Sequence, residues 1–299
     1  MKLGMIGLGK MGGNMAERLR RHSHSVVGMD PGVADADAHS LEELVPLLAE
    51  DGQPRLAWVM VPAGPITDDT ICSLGDLLAK GDIVIDGGNS NFEDSLRHGE
   101  ELAAKEIGFI DCGTSGGVWG LENGYCLMAG GSPEDVATVQ PIFDALAPEN
   151  GFAHTGPIGT GHYVKMIHNG IEYGMMQSYA EGYAIMEACG LDIDSHAAFS
   201  AWREGSVVRS WLLELLVKAL EDNPHLKGIK GVAADSGEGR WTVLEAVRHG
   251  VSAPVISAAL FARFVSQDEE DPAMQVVAAL RHQFGGHAVE LDTPAGEEH

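Results

Sequence analysis

The sequence predicts an α/β protein in which a doubly wound, mostly parallel sheet comes first and an all-helical C-terminal domain follows. Short apolar strands alternate with helices of roughly 10–15 residues through the first half of the chain, which is typical of such a sheet. A glycine-rich turn joins the first strand to the first helix, and after Gly161 only helical patterns remain. The 299 residues are enough for two modest domains, which we place at residues 1–160 and 161–299.

In chain order, the predicted strands are short apolar runs bounded by glycine, proline or polar residues. They span residues 2–6, 25–29, 56–61, 83–86, 108–111 and 125–129, and the predicted helices span 11–21, 66–79, 93–105 and 133–146. Ligands gather at the carboxyl ends of the strands in this architecture. Residues that follow those ends, among them Pro62, Asn89 and Ser115, are therefore candidates for a binding site.

The second half is predicted to be helical throughout. Segment 161–189 is predicted as one long helix, and Gly190 suits the position that follows a helix C-terminus. Further helices are predicted at 195–200, 207–221, 242–249, 254–266 and 272–284. The last residues, 293–299, are expected to form a frayed tail.

Composition and charge exclude several classes of protein. The net charge of −25 argues against nucleic acid and anionic membrane surfaces as partners, so an anionic substrate would need a local cluster of cationic side chains. We find no apolar run of about 18 residues for a membrane span, no signal peptide and no cluster of metal ligands. The four cysteines, at positions 72, 112, 126 and 189, have neither zinc nor disulfide spacing and indicate reduced thiols in the cytoplasm.

The glycine-rich turn after the first strand predicts a dinucleotide site. Its pattern G-x-G-x-x-G opens a predicted helix, whose N-terminal N–H groups would receive a pyrophosphate while the glycines let it approach the backbone. This pattern predicts a Rossmann-type domain. The predicted cofactor-binding residues are Gly7, Leu8, Gly9, Lys10, Met11 and Gly12 in the turn, Asp30 after the second strand, and Val61, Pro62, Ala63 and Asn89 after two later strands.

Asp30 is the residue that predicts which cofactor is used. A carboxylate at the end of the second strand accepts hydrogen bonds from the adenosine ribose hydroxyls and repels a 2′-phosphate, and the next residues include no arginine to hold one. We therefore predict NAD rather than NADP. The alternative is that Asp30 only begins the turn Asp30-Pro31-Gly32.

A stripe of polar residues marks the beginning of the long predicted helix. Its members fall at i, i+3, i+4, i+7 and i+8 and share one face: Lys165, His168, Asn169, Glu172 and Tyr173. The surrounding residues are apolar or small, so we expect a buried helix that presents a base and an acid to an enclosed site. Lys165 and Glu172 are two turns apart, roughly 10 Å along the axis, which leaves room for a small substrate. A buried ion pair that only ties helices together is the alternative.

The segment 113–117 reads Gly-Thr-Ser-Gly-Gly and follows a predicted strand. Such a turn is common for structural reasons alone. It would equally allow a substrate carboxylate to lie against backbone N–H groups and the Ser115 hydroxyl. Position alone leaves both interpretations open.

Four blocks of the sequence resemble the 6-phosphogluconate dehydrogenase family, and the resemblance spans nearly the whole chain. They are the glycine-rich turn, residues 86–90 (Asp-Gly-Gly-Asn-Ser), residues 115–117 (Ser-Gly-Gly) and residues 161–174, the most specific block. A fifth block, 281–287, resembles the family's C-terminal substrate-binding tail. The resemblance implies oxidative decarboxylation of 6-phosphogluconate to ribulose 5-phosphate and CO2, in the pentose phosphate pathway and gluconate utilisation, by a cytoplasmic enzyme.

The resemblance also implies a role for each matched residue. Lys165 matches the family's general base and Glu172 its general acid, so burial should favour a neutral amine and a protonated carboxyl group. The groups matched around the sugar acid and nicotinamide are Asn89, Ser115, Gly116, Gly117, His168 and Asn169, and the matched phosphate ligands are Tyr173 and Arg263. Arg281 and His287 match residues that reach into a neighbouring subunit, which implies a dimer or a tetramer. No metal is implied.

Three features depart from the family pattern. The chain is shorter than the family's long members and resembles its short bacterial or archaeal type. A phosphate-binding lysine of the long members has no match in residues 235–241, where Arg240 occupies a different position and its role stays open. Asp30 replaces the Asn-Arg-Thr signature of members that use NADP, which favours NAD.

Two rival functions remain. A β-hydroxyacid dehydrogenase acting on 3-hydroxyisobutyrate or tartronate semialdehyde would share the pattern of Gly159, Gly161, Lys165 and Asn169, but it would need neither Glu172 nor the 281–287 tail. A catalytically idle, NAD-binding regulatory protein would need no Lys and Glu pair at all. Turnover of the respective substrates separates the three.

Overall fold

The computed structural model describes residues 1–268 and 271–285. The chain divides into two units, Met1–Ile171 and Glu172–His299, and the division falls inside one long helix. A sheet with flanking helices forms the first unit, and the described part of the second consists of helices. The predicted fold class is therefore confirmed.

Within the described residues, seven strands of the first unit form a single sheet. They are β1 (Lys2–Ile6), β2 (Ser25–Met29), β3 (Leu56–Val59), β4 (Ile83–Asp86), β5 (Gly108–Ser115), β6 (Cys126–Gly131) and β7 (Phe152–Gly156). Their order is β2-β1-β3-β4-β5-β6-β7, and only the β5–β6 pair is antiparallel. The carboxyl ends of β1 to β5 therefore lie at one end of the sheet, where ligands gather in this architecture.

Helices cover both faces of the sheet. They are α1 (Lys10–Arg21), α2 (Leu41–Leu47), α3 (Pro65–Leu77), α4 (Phe92–Ala103), α5 (Gly120–Asn123) and α6 (Pro133–Leu146), with a 3₁₀ turn at Gly117–Trp119. In β3, Leu56 and Trp58 join a core cluster with side chains of α1 and α6, whereas Ala57 and Val59 join another with α2, α3 and α4. Because successive strand residues point to opposite faces, a continuous apolar strand fills both layers.

The long helix α7 (Thr160–Ala188) leads into the helical unit. The other helices there are α8 (Ser195–Trp202), α9 (Trp211–Asp222), α10 (Glu238–Arg248), α11 (Pro254–Gln267) and α12 (Pro272–Gly285). Tyr179 and Tyr183 on the later turns of α7 pack against buried side chains of α8 and α9, and Tyr173 packs against α11. Across the described residues we see no helix with both the length and the apolar character that crossing a bilayer requires.

Several parts of the first unit differ from the predictions, among them the short helix α5 and the 3₁₀ turn before it, which were not predicted. The short helix α2, which contains Pro46, and the half-exposed strand β7 were not predicted, because neither has a clear apolar period. Strand β5 continues to Ser115 instead of ending at Asp111, since Gly113 and Thr114 pair with β6. The glycines in 113–117 therefore do not all belong to a turn, and Ser115 is the last residue of the strand.

Candidate active site

Three glycines of the turn between β1 and α1 have different steric roles. Gly7 has a φ of +90°, and a Cβ there would lie 2.6 Å from the Met60 carbonyl oxygen. A Cβ on Gly12 would lie 2.0 Å from the Gly7 carbonyl oxygen, so this position must also stay glycine for the helix to pack on the strand. Gly9 instead faces open space. A phosphate group can approach the backbone at Gly9 without displacing protein atoms.

The N-terminus of α1 suits an anionic ligand. Gly9 is its N-cap and has no side chain to accept from the first N–H groups, and the first turn begins with the exposed Lys10 and the half-buried Met11. Helix N–H groups without internal acceptors and the positive end of the helix dipole favour a phosphate. The residues predicted to bind the cofactor pyrophosphate thus fit that group.

Asp30 lies directly beside this turn. One carboxylate oxygen accepts the Leu8 N–H at 2.8 Å, and the other accepts the Gly32 N–H at 2.8 Å. The carboxylate therefore joins the glycine-rich turn to the turn that Asp30 itself begins. Asp30 can begin this turn and also bind the cofactor, because both oxygens keep further lone pairs for ribose hydroxyls.

The loops after β3 and β4 carry the other predicted cofactor residues. Val61 is half-buried, Pro62 and Ala63 are exposed after β3, and Asn89 is exposed after β4. Asp86, which had no predicted role, organises the second loop: it is fully buried and accepts hydrogen bonds from Gly88 N (3.0 Å) and Ser90 Oγ (2.7 Å). The signal that could have identified it is an acid that ends an otherwise apolar buried strand.

Lys165 is buried on the second turn of α7, with 6% of its surface exposed. Its Nζ donates to Asn169 Oδ1 at 2.9 Å, and His168 Nδ1 lies 2.9 Å from the same oxygen. A Cβ on Gly113 would lie 2.3 Å from Lys165 Cβ, so β5 is in direct contact with the lysine stem. The structure thus brings Lys165, His168 and Asn169 together against the end of β5.

The end of β5 provides the small residues near this amine. Ser115 pairs with Cys126 of β6, and the chain then turns through Gly116 (φ +135°) and Gly117 (φ +54°). Burial raises the pKa of the Cys126 thiol, while the positive charge of Lys165 acts to lower it. Through Gly113, which touches the Lys165 stem, this end of β5 lies beside the lysine side chain.

Within the helical unit, Tyr173 and Arg263 form the centre of a second polar cluster. The Arg263 guanidinium lies 3.5 Å from the centroid of the Tyr173 ring, and it donates to the Ala234 carbonyl oxygen at 2.8 Å. The Tyr173 hydroxyl accepts from Ser236 N at 3.2 Å. Gly239 lets the first turn of α10 pack on this ring, since a Cβ there would lie 2.4 Å from Tyr173 Cε2. The two predicted phosphate ligands are therefore neighbours.

Arg240 is close to this cluster and is already paired. Its Nε donates to Asp235 Oδ2 at 2.9 Å, and its guanidinium lies 5.0 Å from the Phe264 ring. Burial opposes ionisation of Asp235, but hydrogen bonds from Gly237 N and Arg240 lower the pKa of its carboxyl group below the usual value. Much of the Arg240 charge is thus compensated by Asp235, whereas Arg263 donates a hydrogen bond to the neutral Ala234 carbonyl oxygen.

The remaining predicted site residues lie further along the chain. Glu172 is half-buried on α7, one helical position before Tyr173. Arg281 is exposed on α12. His287 lies outside the described residues, so the predicted role of the 281–287 tail stays a prediction.

Two family profiles and several relatives match this chain. Residues 2–156 match the family profile described as the NAD binding domain of 6-phosphogluconate dehydrogenase, and residues 161–290 match the profile of that enzyme's C-terminal domain. A provisionally named 6-phosphogluconate dehydrogenase of Bacillus subtilis is 42% identical over 97% of this chain and 99% of its own length. The NAD(+)-dependent, decarboxylating 6-phosphogluconate dehydrogenase of Haloferax volcanii is 39% identical over 97% and 98%.

A solved structure supports the same assignment. The Plasmodium falciparum 6-phosphogluconate dehydrogenase superposes with a TM-score of 0.80 at 29% identity, over 99% of this chain and 67% of that one. The chain thus spans about two thirds of the length of that protein. Since both family profiles and both relatives extend over nearly all of the sequence, the chain belongs to the 6-phosphogluconate dehydrogenase family.

Proposed function

We propose that this protein catalyses the oxidative decarboxylation of 6-phosphogluconate to ribulose 5-phosphate and CO2 with reduction of NAD. The observation that carries the proposal is the buried Lys165 amine, held at 2.9 Å by Asn169 on a helix that packs against the end of β5. A dinucleotide turn opens the same sheet. A base beside a nicotinamide site is what oxidation of a secondary alcohol requires.

NAD, held by the glycine-rich turn and Asp30, would supply the hydride acceptor for C3 of the substrate. The neutral Lys165 amine takes the proton of the C3 hydroxyl as the ketone forms. The ketone oxygen then receives the electron pair left by CO2, and the ammonium of Lys165 stabilises the negative charge on that oxygen. Glu172, in its protonated form, delivers a proton to C1 of the resulting enediol, which gives ribulose 5-phosphate. Asn169 holds the amine in place through each step.

The proposed contacts with the substrate follow the residues that match the family. Asn89, Ser115, Gly116, Gly117, His168 and Asn169 would contact the sugar acid, and Tyr173 and Arg263 the phosphate. Arg263 supplies the local positive charge that an anionic substrate needs on a chain with a net charge of −25. Arg281 and His287 would complete the site of a neighbouring subunit in a dimer or tetramer. The free, scattered cysteines favour a cytoplasmic location.

The decisive experiment measures NADH and CO2 formed from 6-phosphogluconate. We expect equal molar amounts of both products, and no comparable turnover of gluconate, because gluconate lacks the phosphate. The same assay tests the rival function. If the enzyme oxidises 3-hydroxyisobutyrate or reduces tartronate semialdehyde but does not act on 6-phosphogluconate, it is a β-hydroxyacid dehydrogenase instead.

The choice of NAD is tested at Asp30. We expect Asp30→Asn to lower kcat/KM for NAD by about tenfold, since a charge-assisted hydrogen bond contributes about 1.5–3 kcal/mol. The ratio of kcat/KM for NAD to kcat/KM for NADP should therefore decrease. Asp35→Asn removes the same charge from an exposed position of the same loop and should leave both values unchanged. A wild-type preference for NADP, or equal effects of the two substitutions, would contradict the assignment.

The phosphate role of Arg263 is tested against Arg240. Arg263→Gln is expected to raise KM for 6-phosphogluconate by about 10- to 100-fold with little change in kcat, because the lost contact binds substrate and transition state alike. Arg240→Gln should have a smaller effect, since Asp235 already neutralises that guanidinium. Steady-state kinetics at saturating NAD measure both. The assignment is wrong if Arg240→Gln has the larger effect on KM.

A further inference from the structure

A buried aspartate of β5 caps the helix that carries Lys165. Asp111 has no exposed surface, and its two carboxylate oxygens accept Gly159 N at 2.6 Å and His162 N at 2.8 Å. These N–H groups belong to the beginning of α7, where a helix has no internal acceptors. A side chain from the sheet therefore satisfies the helix end that an N-cap residue normally satisfies.

The same face of β5 meets the helix again further along. Asp111, Gly113 and Ser115 alternate along the strand and share one face. Gly113 has no room for a Cβ beside Lys165 Cβ, at 2.3 Å. On the other partner, a Cβ on Gly161 would lie 2.3 Å from the Asp111 carbonyl oxygen. Strand β5 is thus in close contact with α7 at both Gly161 and Lys165.

A third contact holds the first turn of α7 from another side. Ser95 of α4 and His162 are both buried, and Ser95 Oγ lies 2.7 Å from His162 Nδ1. The backbone of His162 is held by Asp111 and its side chain by Ser95. Contacts from β5 and α4 therefore help to fix where the first turn of α7 lies, and Lys165 follows one turn later.

Stability alone does not explain an aspartate at this position. Burial raises the pKa of the Asp111 carboxyl group, although the charge of His162 and the two backbone N–H groups act in the opposite direction. A buried ionised carboxylate is costly to maintain, and a neutral Ser, Thr or Asn caps a helix as well. What a carboxylate adds is acceptance of two N–H groups at once, which fixes the helix end in orientation as well as in position.

We infer that Asp111 is a positioning residue, which fixes the first turn of α7 against β5 and thereby holds the Lys165 amine where the reaction needs it. The inference rests on the proposed function for its kinetic consequence. It concerns a residue that touches neither substrate nor cofactor and acts through the helix. Displacement of a reacting group by about 1 Å can cost about 100-fold in rate.

The test is Asp111→Asn, which keeps the shape but can accept only one of the two N–H groups. We expect kcat to fall by about 10- to 100-fold, with KM for NAD and 6-phosphogluconate within about threefold of wild type. Deuterium at C3 of the substrate should give a larger isotope effect on kcat, because misplacement of the base slows the oxidation step. Backbone amides at 159–163 should exchange with D2O faster than in the wild type.

Asp82→Asn is the matched control. Asp82 is also buried, and its carboxylate accepts Arg55 N at 2.8 Å and Ala79 N at 2.7 Å, but it precedes β4 at the opposite end of the sheet. This variant should lose stability without a change in the isotope effect. Ser95→Ala removes the other contact of the first turn without touching a charge, and should lower kcat in the same direction by a smaller factor.

The results distinguish a positioning role of Asp111 from a purely structural one. If Asp111→Asn keeps wild-type kcat, or loses kcat only as much as Asp82→Asn does with an unchanged isotope effect, Asp111 is structural and the inference is wrong. Should Asp111→Asn fail to fold, Ser95→Ala decides by the same kinetic comparison. If the wild type does not turn over 6-phosphogluconate, the proposed function is wrong. Faster amide exchange confined to residues 159–163 in Asp111→Asn would still show that Asp111 holds the first turn of α7.

Discussion

Lys165→Met is expected to lower kcat with 6-phosphogluconate by about two to four orders of magnitude, the usual contribution of a positioned general base. Methionine is similar in length and can occupy the same channel beside Gly113, so the fold should tolerate it. It cannot accept the C3 hydroxyl proton or stabilise the enolate oxygen. Steady-state turnover measures the loss, and fluorescence titration with NADH should show near-normal cofactor affinity.

Lys105→Met is the matched control for this variant. Lys105 is exposed after α4 and pairs with Asp76 on the surface. The same chemical change there should leave kcat and KM unaltered, because exposed ion pairs contribute little. Near-normal turnover of Lys165→Met would mean that another group is the base, and the proposed mechanism would have to be abandoned.

Glu172→Gln is expected to produce the second large loss, also about two to four orders of magnitude in kcat. The amide keeps the size of the side chain but cannot deliver a proton, so the final protonation at C1 becomes limiting. Deuterium at C3 should then have almost no effect on kcat, which is the opposite of the result expected for Asp111→Asn. This contrast separates the oxidation step from the protonation step.

The product itself provides an independent measurement for Glu172. In D2O the wild type should place deuterium at C1 of ribulose 5-phosphate with one stereochemistry, because one side chain supplies it. In Glu172→Gln, protonation by solvent should give a mixture. Glu181→Gln, two further turns along α7 where the glutamate is exposed and bonded to Gln177, should retain both rate and stereochemistry. Stereospecific product from Glu172→Gln would exclude Glu172 as the acid.

The local patterns in the sequence were sufficient for the fold class and for the long helix. The predicted helix 161–189 corresponds to Thr160–Ala188, and most predicted strands lie within two residues of the observed ones. Periodicity and glycine-rich turns are local signals, so they are visible without coordinates. The end of β5 was placed wrongly because pairing with β6, a contact distant in the sequence, keeps Gly113 and Thr114 in the strand.

The same distinction applies to the charged residues. Asp86 ends β4 and accepts from its own loop, whereas its register neighbour Asp111 lies inside β5. Asp111 accepts the N–H groups of Gly159 and His162, a segment that no local pattern connects to it. In the sequence, Arg263 matches a phosphate ligand of the family, whereas the role of Arg240 stays open. Only the structure shows that Asp235 neutralises one of them while Arg263 lies over Tyr173.

The sequence by itself determined the alternation of strands and helices, the dinucleotide turn, and the stripe from Lys165 to Tyr173 on one helix face, because each depends on spacing along a single segment. The tertiary structure decided which carboxylate caps α7, which glycine makes room for the lysine stem and which of the two arginines Asp235 neutralises. These depend on segments far apart in the chain that approach each other only when the backbone packs, and hydrogen-bond and steric complementarity over a few ångströms cannot be read from spacing.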